Sequence, residues 1–361
     1  MSHHDAVAAS NNWSEDPFGG EIKDGRIWGR GTVDTKTPLF GEFSAIEELL
    51  EEGFKFPVNV YLFSSCNEGI GGNGAPLALE YFKENKITFE WISDEGGAIV
   101  EPPMKGIDKK CAMMAVHEKG RCTCKLSAKK IECHAGLEGN HKTPVMRLAN
   151  FISGVDAKKP FIRKLYPEVR GGMFEATAPH INFPMNVIFS NLNLFSNMLV
   201  KLIPNMNATA GEMLGTGCTF KNFNTLEDGS CETEAFLRCI SGDDLAKDID
   251  TLKDMAKKYD VEIDVKDNEY NKPSSLDSNG YKHIRDTILS VFDYVAAIPF
   301  ILPAGTDART FTDLSDAVIR FAPIDIDNQQ YGSVHNDDEN FSVDKLGLVV
   351  KFYKELLKKY K

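Results

Sequence analysis

The pattern that most restricts the fold is an alternation of helical repeats and short apolar runs between Asp34 and about Ala115. Glu42 to Leu50 carries apolar residues at helical spacing, and Phe56 to Phe63 reads as a buried strand. Pro76 to Lys86 reads as a second helix and Phe89 to Ser93 as a second strand. Strand, helix, strand in that order implies a crossover and a parallel pair, whose ligands collect at the carboxyl ends of the strands.

Past His117-Glu118-Lys119-Gly120 the character changes. Arg121 to Ala128 reads as a strand and Thr143 to Ser153 as a helix, while residues 160–204, rich in Pro, Asn and Phe, lack clean periodicity and suggest an irregular insertion. Cys231 to Arg238 alternates, Asp244 to Tyr259 is helical, and Val261 to Val265 alternates again. Two successive strand-helix-strand units predict a small α+β module over 117–268, inserted into a larger domain made from 1–116 and 269–361. Helical periodicity returns at Ser278 to Val295 and at Leu346 to Tyr360.

A chain of 361 residues with 42% hydrophobic positions can bury two cores. The net charge of −12, without any clustered Lys/Arg surface, argues against a nucleic-acid partner. Lys354, Lys358, Lys359 and Lys361 fit the end of a helix, where cations favour the dipole. Eight cysteines without a CxxC pair point to a reducing, cytoplasmic setting. No apolar run is long enough to cross a membrane.

Four segments place acids and histidines at strand ends or in glycine-rich loops. His3-His4-Asp5 sets His3 and Asp5 on one side of an extended segment, where the acid can orient the ring; a disordered terminus is the plain alternative. Asp34, in Gly29-Arg30-Gly31-Thr32-Val33-Asp34, either serves a site or caps the helix that follows. Glu68 in Asn67-Glu68-Gly69-Ile70-Gly71-Gly72 and the pair in Asp94-Glu95-Gly96-Gly97 repeat one design after neighbouring strands.

Together with Tyr331-Gly332-Ser333-Val334-His335-Asn336 and Gly305-Thr306-Asp307-Ala308-Arg309, these segments resemble the M20 family of metallopeptidases and acylamino-acid hydrolases over essentially the whole chain. Asp94-Glu95-Gly96-Gly97 is most similar to the carboxypeptidase S branch. The resemblance implies an α/β catalytic domain of zinc-peptidase type, with a mixed, largely parallel sheet and helices on both faces. It also implies an inserted, ferredoxin-like α+β domain acting as a lid or homodimer platform. It implies zinc held by His3, Asp34, Asp94 and His335, with Asp34 bridging two ions and Asp5 orienting His3. Glu68 would be the general base for a metal-activated water, and His134 would stabilise the oxyanion. Arg309 would hold a substrate carboxylate, with a structural pair to Asp307 or Asp313 as its alternative, and Asn224 would assist at the carbonyl. The substrates implied are small peptides or N-acyl amino acids.

Two departures from the family pattern matter. Where the family has two consecutive glutamates, this chain reads Glu68-Gly69, which predicts one tight zinc site and a weak or absent second one, or a pseudoenzyme that binds carboxylates without turnover. The family usually has a helix and one or more strands ahead of its His-x-Asp motif. Here Met1 stands almost on it, which predicts a bare sheet edge with apolar surface.

Overall fold

The computed structural model describes residues 1–130, 142–206 and 208–360. These divide into two compact units, the first of Met1–Glu118, Pro167–Leu192 and Lys272–Lys361, the second of Lys119–Tyr166 and Asn193–Asn271.

In the first unit the apolar segments assemble a five-stranded mixed sheet in the order Val295–Leu302, Lys110–Glu118, Val318–Arg320, Ile92–Asp94, with Ile99–Val100 added beside Lys110–Glu118. The Val295–Leu302 strand runs parallel to Lys110–Glu118, and Val318–Arg320 parallel to Ile92–Asp94, while the pairings of Lys110–Glu118 with Val318–Arg320 and Ile99–Val100 are antiparallel. Buried on both faces, the central strands are apolar almost throughout. On one face the helices Thr37–Glu51, Asn279–Val291 and Leu346–Lys358 bury Ala45, Ile284, Ile288, Val349 and Phe352. Gly41 lets the first and last of these close together, because a Cβ there would collide with Val349. Lys354 donates to Glu48 and Glu52 and Lys358 to Glu52, so these lysines tie the same two helices. A separate cluster gathers Ala75 and Phe82 of the helix Gly74–Glu84 with Phe311 and Ile92.

The second unit runs strand, helix, strand, strand, helix, strand: Gly120–Ala128, Pro144–Lys158, Gly217–Thr225, Cys231–Cys239, Gly242–Lys257, Glu262–Glu269. All its pairings are antiparallel, in the order second, third, first, fourth, which is ferredoxin-like topology. Leu148, Phe151, Leu252 and Leu237 sit in its core.

The structure changes three expectations. Residues 160–204 hold helices at Met185–Ser190 and Leu192–Met206 and helical turns over Glu168–Phe174, because tertiary packing replaces periodicity: Phe174 and Phe189 meet with ring centroids 4.6 Å apart. The insertion is not continuous over 117–268. Residues 167–192 belong to the first unit, where Gly172 lies against Pro299 of the Val295–Leu302 strand and Ile181 bridges to Ile107. Finally, residues 56–63 form no strand, and Val58, Val60 and Tyr61 are exposed.

Candidate active site

Every described candidate except Asn224 lies in the first unit. His4 N–H donates to the Ser65 carbonyl at 3.0 Å, so the opening segment lies along residues 63–65 and His3 turns inward, 5% exposed. Its Nδ1 is 2.9 Å from the Asp5 carbonyl and 3.3 Å from Asp5 Oδ1. With Nδ1 taken by Asp5, Nε2 is left facing Asp34 Oδ1 at 3.3 Å and Glu68 Oε2 at 3.8 Å. Asp5 has a second task, accepting the Glu68 and Gly69 amides at 3.2 and 3.0 Å and so fixing the loop that carries Glu68.

Asp34 does not cap a helix. The residue at the cap of Thr37–Glu51 is Lys36, and the Asp34 carboxylate accepts from His3 on one oxygen and from His335 Nε2, at 2.7 Å, on the other. His335 reaches it from an exposed, left-handed backbone position with φ 61°. The loop is held by Glu339, which sequence reasoning missed. Its 1%-exposed carboxylate accepts Arg30 Nη1 at 2.8 Å and the Gly31 amide at 2.9 Å on one oxygen. The other oxygen accepts the Val33 and Asp34 amides at 2.8 and 3.0 Å. The sequence gives no sign of this, since Glu339 follows Asp337 and Asp338 and looks like solvated surface.

The three-donor group brings in one residue that the sequence reading did not name as a donor. Asp94 ends its strand buried, its Oδ2 accepting the Ala308 amide at 3.0 Å. The next residue, Glu95, joins His3 and Asp34, with one donor atom from each lying within 4.8 Å of the others, and Asp94 and Glu95 both line a small pocket with His3 and Glu68. Gly96, at φ 107°, and Gly97, where a Cβ would strike the Met113 and Arg320 carbonyls, let the chain leave this point without crowding. Among the described residues this is the single such group of three or more donors.

Arg309 follows Gly305, against which its guanidinium lies. Its alternative partner Asp313 pairs with Lys272 at 2.9 Å, and Asp307 accepts from Ser65 at 2.5 Å. Beneath this loop, buried Arg320 donates from Nε to Glu118 at 2.6 Å, and Glu118 in turn accepts the Thr306 amide and hydroxyl at 3.0 and 2.8 Å. Asn224 stands on the Gly217–Thr225 strand of the second unit, exposed and donating to the Asn222 carbonyl at 3.1 Å. His134 lies outside the described residues.

The acids repel one another. Burial and the Asp307, Asp34 and Asp94 carboxylates push Glu68 up to about 7 against the pull of His3. Burial, helped by Asp34, Asp94, Glu68 and Glu118, pushes Glu95 well above the usual carboxylate range. Burial disfavours protonated His3, yet Asp34, Glu68 and Asp5 outweigh it and raise the imidazole to about 9. Burial likewise opposes the charge on Asp34, but hydrogen bonds from His3 and His335 hold its carboxyl well below its ordinary value. One imidazole nitrogen and two carboxylates around one point are donors that suit a divalent cation, which would neutralise this repulsion.

Known proteins share this architecture. A probable carboxypeptidase S-like 2 of Dictyostelium discoideum is 29% identical over 360 residues, covering 96% of this chain and 68% of that protein. The N-fatty-acyl-amino acid synthase/hydrolase PM20D1 of Xenopus tropicalis is 28% identical over 374 residues, covering 99% of this chain and 71% of that protein. Among solved structures, an M20 family metallo-carboxypeptidase from Sulfolobus solfataricus superposes with a TM-score of 0.68 at 19% identity, covering 99% of this chain and 83% of that one. Residues 1–359 match the family described as Peptidase family M20/M25/M40, and the chain therefore belongs to that family of hydrolytic enzymes.

Proposed function

We propose that this chain is a zinc-dependent hydrolase that cuts an amide bond beside a free carboxylate, in dipeptides or N-acyl amino acids. The observation that carries the reading is the meeting of His3, Asp34 and Glu95 donors within 4.8 Å, with Glu68 Oε2 3.8 Å from His3. Bound there, zinc supplies Lewis acidity, polarising a carbonyl and acidifying water. Glu68, raised to about 7, is suited to take a proton from the attacking water and return it to the leaving nitrogen. Asp5 fixes the His3 ring and the Glu68 loop together. Arg309, on a loop braced by Glu118 and Arg320, offers a planar fork for the substrate carboxylate. Relatives named as a carboxypeptidase S-like protein and an N-fatty-acyl-amino acid hydrolase support this substrate class.

His134 and Asn224 keep the roles their resemblance implies, as does the second unit as a lid or dimer platform. Gly69 leaves His335 and Asp34 without a further acid from that loop, which favours one tight metal and a weak second one. The same residue supports a second reading, a carboxylate binder without turnover. The test is amino-acid release from a panel of dipeptides and N-acyl amino acids by the zinc-loaded chain. We expect chelator-sensitive release that falls about 100-fold or more in Glu68→Ala with zinc content unchanged. Ligand binding without release would instead establish the binder.

A further inference from the structure

Ser65 stands where three segments of the site meet. Its carbonyl accepts the His4 amide at 3.0 Å, which holds the stretch carrying His3 and Asp5. Its hydroxyl donates to Asp307 Oδ2 at 2.5 Å, in the turn Asp307–Phe311 that carries Arg309. Glu68 follows three residues later in the chain, on a loop pinned by Asn67. The Asn67 side chain accepts the Gly74 amide at 3.3 Å and its carbonyl the Gly72 amide at 2.8 Å. Ser65 itself is 4% exposed, and a Cβ on Gly74 would stand 3.1 Å from its own. Ser65, Asp307, His3 and Glu68 all line one small pocket.

The turn is fixed as firmly. Its Ala308 amide donates to Asp94 at 3.0 Å and to the Thr306 hydroxyl at 3.3 Å, and Ala308 and Phe311 are buried. Asp307 and Arg309 therefore move together. Among the described residues, the bond from Ser65 to Asp307 is the one hydrogen bond between residues 63–74 and 305–311. Phe63 and Phe311 also touch, ring centroids 5.7 Å apart, but apolar contact is non-directional and leaves the register free.

We propose that Ser65 is a positioning residue that acts through Asp307, setting the distance between Glu68 with the metal donors and the guanidinium fork of Arg309. The inference rests on the reading of Glu68 as general base and Arg309 as the carboxylate grip. A grip held at one distance from the attacked carbonyl selects substrates by the spacing of their two ends. Dipeptides and N-acyl amino acids have one carbon between the amide nitrogen and the carboxylate. A β-amino acid has two, which displaces the carbonyl by about 1.5 Å when the carboxylate stays on Arg309. Misplacement by about 1 Å can cost about 100-fold in rate, so the Ser65 bond makes the site selective for α-carboxylates.

The test compares the zinc-loaded full chain with Ser65→Ala, Asp307→Asn, Asp307→Ala and the double variant Ser65→Ala/Asp307→Ala. The substrates are alanine and β-alanine carrying the same acyl group. Ser65→Ala should lower kcat on the alanine substrate by about tenfold or more, with KM within about threefold, because the fork still grips but presents the carbonyl badly. Its preference for alanine over β-alanine should narrow by about tenfold, which a loss of stability alone would not produce. Asp307→Asn keeps a carbonyl that accepts from Ser65 and should retain most of the preference, while Asp307→Ala loses it and the double variant is no worse than the poorer single one. An unchanged preference in Ser65→Ala, or equal losses in Asp307→Asn and Asp307→Ala, would overturn the proposal. A parent chain that releases no amino acid refutes the hydrolytic reading instead, and amide exchange then judges the bond by itself. Ser65→Ala should speed exchange of the Ala308 and Arg309 amides by about tenfold, and unchanged exchange would show that Ser65 does not hold the turn.

Discussion

Replacing Glu339 with Gln exchanges one carboxylate oxygen for an NH2 group and leaves the volume unchanged. The native carboxylate accepts four hydrogen bonds of 2.8 to 3.0 Å, two on each oxygen. Gln can satisfy two of them. Whichever way its amide turns, two donors are left facing a donor, and the guanidinium of Arg30, itself 4% exposed, loses its counter-charge. At about 1.5–3 kcal/mol for each hydrogen bond to a charged group, two lost bonds cost about 3–6 kcal/mol. Removal of one partner from a buried ion pair gives a similar figure, about 3–5 kcal/mol. Urea unfolding should therefore show a lower midpoint at unchanged slope, corresponding to a loss near 4 kcal/mol. Because the same carboxylate holds the Asp34 amide, zinc affinity measured by competition with a chelator should fall by about 10- to 100-fold. A variant within about 1 kcal/mol of the parent and with unchanged zinc affinity would refute the idea that Glu339 sets the Asp34 loop.

The neighbouring acids should separate cleanly: Glu95→Gln weakens zinc binding by about 100-fold or more, whereas Asp94→Asn keeps the zinc and lowers stability through its contact with the Ala308 amide. Metal content read by mass spectrometry, set beside thermal melts, distinguishes them. Gly69→Glu should raise bound zinc from about one towards two equivalents per chain, since its Cβ would stand only 3.3 Å from Asp5 Oδ2, a contact a small shift relieves. Two equivalents of equal affinity in the parent would show that another group already supplies the ligand. Arg309→Lys should raise KM by about tenfold or more with a smaller effect on kcat, because a point charge replaces a bidentate fork. An unchanged KM would take Arg309 out of substrate binding.

Much of the fold was legible because its signals are local. The helices Thr37–Glu51, Gly242–Lys257 and Leu346–Lys358 each bury one stripe, and the strand Cys231–Cys239 alternates buried positions with half-buried or exposed ones. What failed depended on distant partners. Residues 56–63 carry a strand's composition, yet a strand needs a neighbour, and theirs lies across a cavity. Residues 167–192 carry weak helical periodicity because they pack as short pieces, with Val169 and Phe174 buried beside the Val295–Leu302 strand. At the site, motifs pointed to His3, Asp5, Asp34, Glu68 and His335, which the structure brings together, while the approach of Glu95 to His3 and Asp34 appears only in three dimensions. Glu339 was invisible for the same reason: its burial is imposed by backbone amides some three hundred residues earlier.

Asp34 meets His335 across a separation of 301 residues. At synthesis rates of about 5–20 residues per second, the acid emerges from the ribosome roughly 15 to 60 s before that histidine exists. The clasp of Asp34 by His335 is therefore among the last contacts of the first unit that synthesis allows to form.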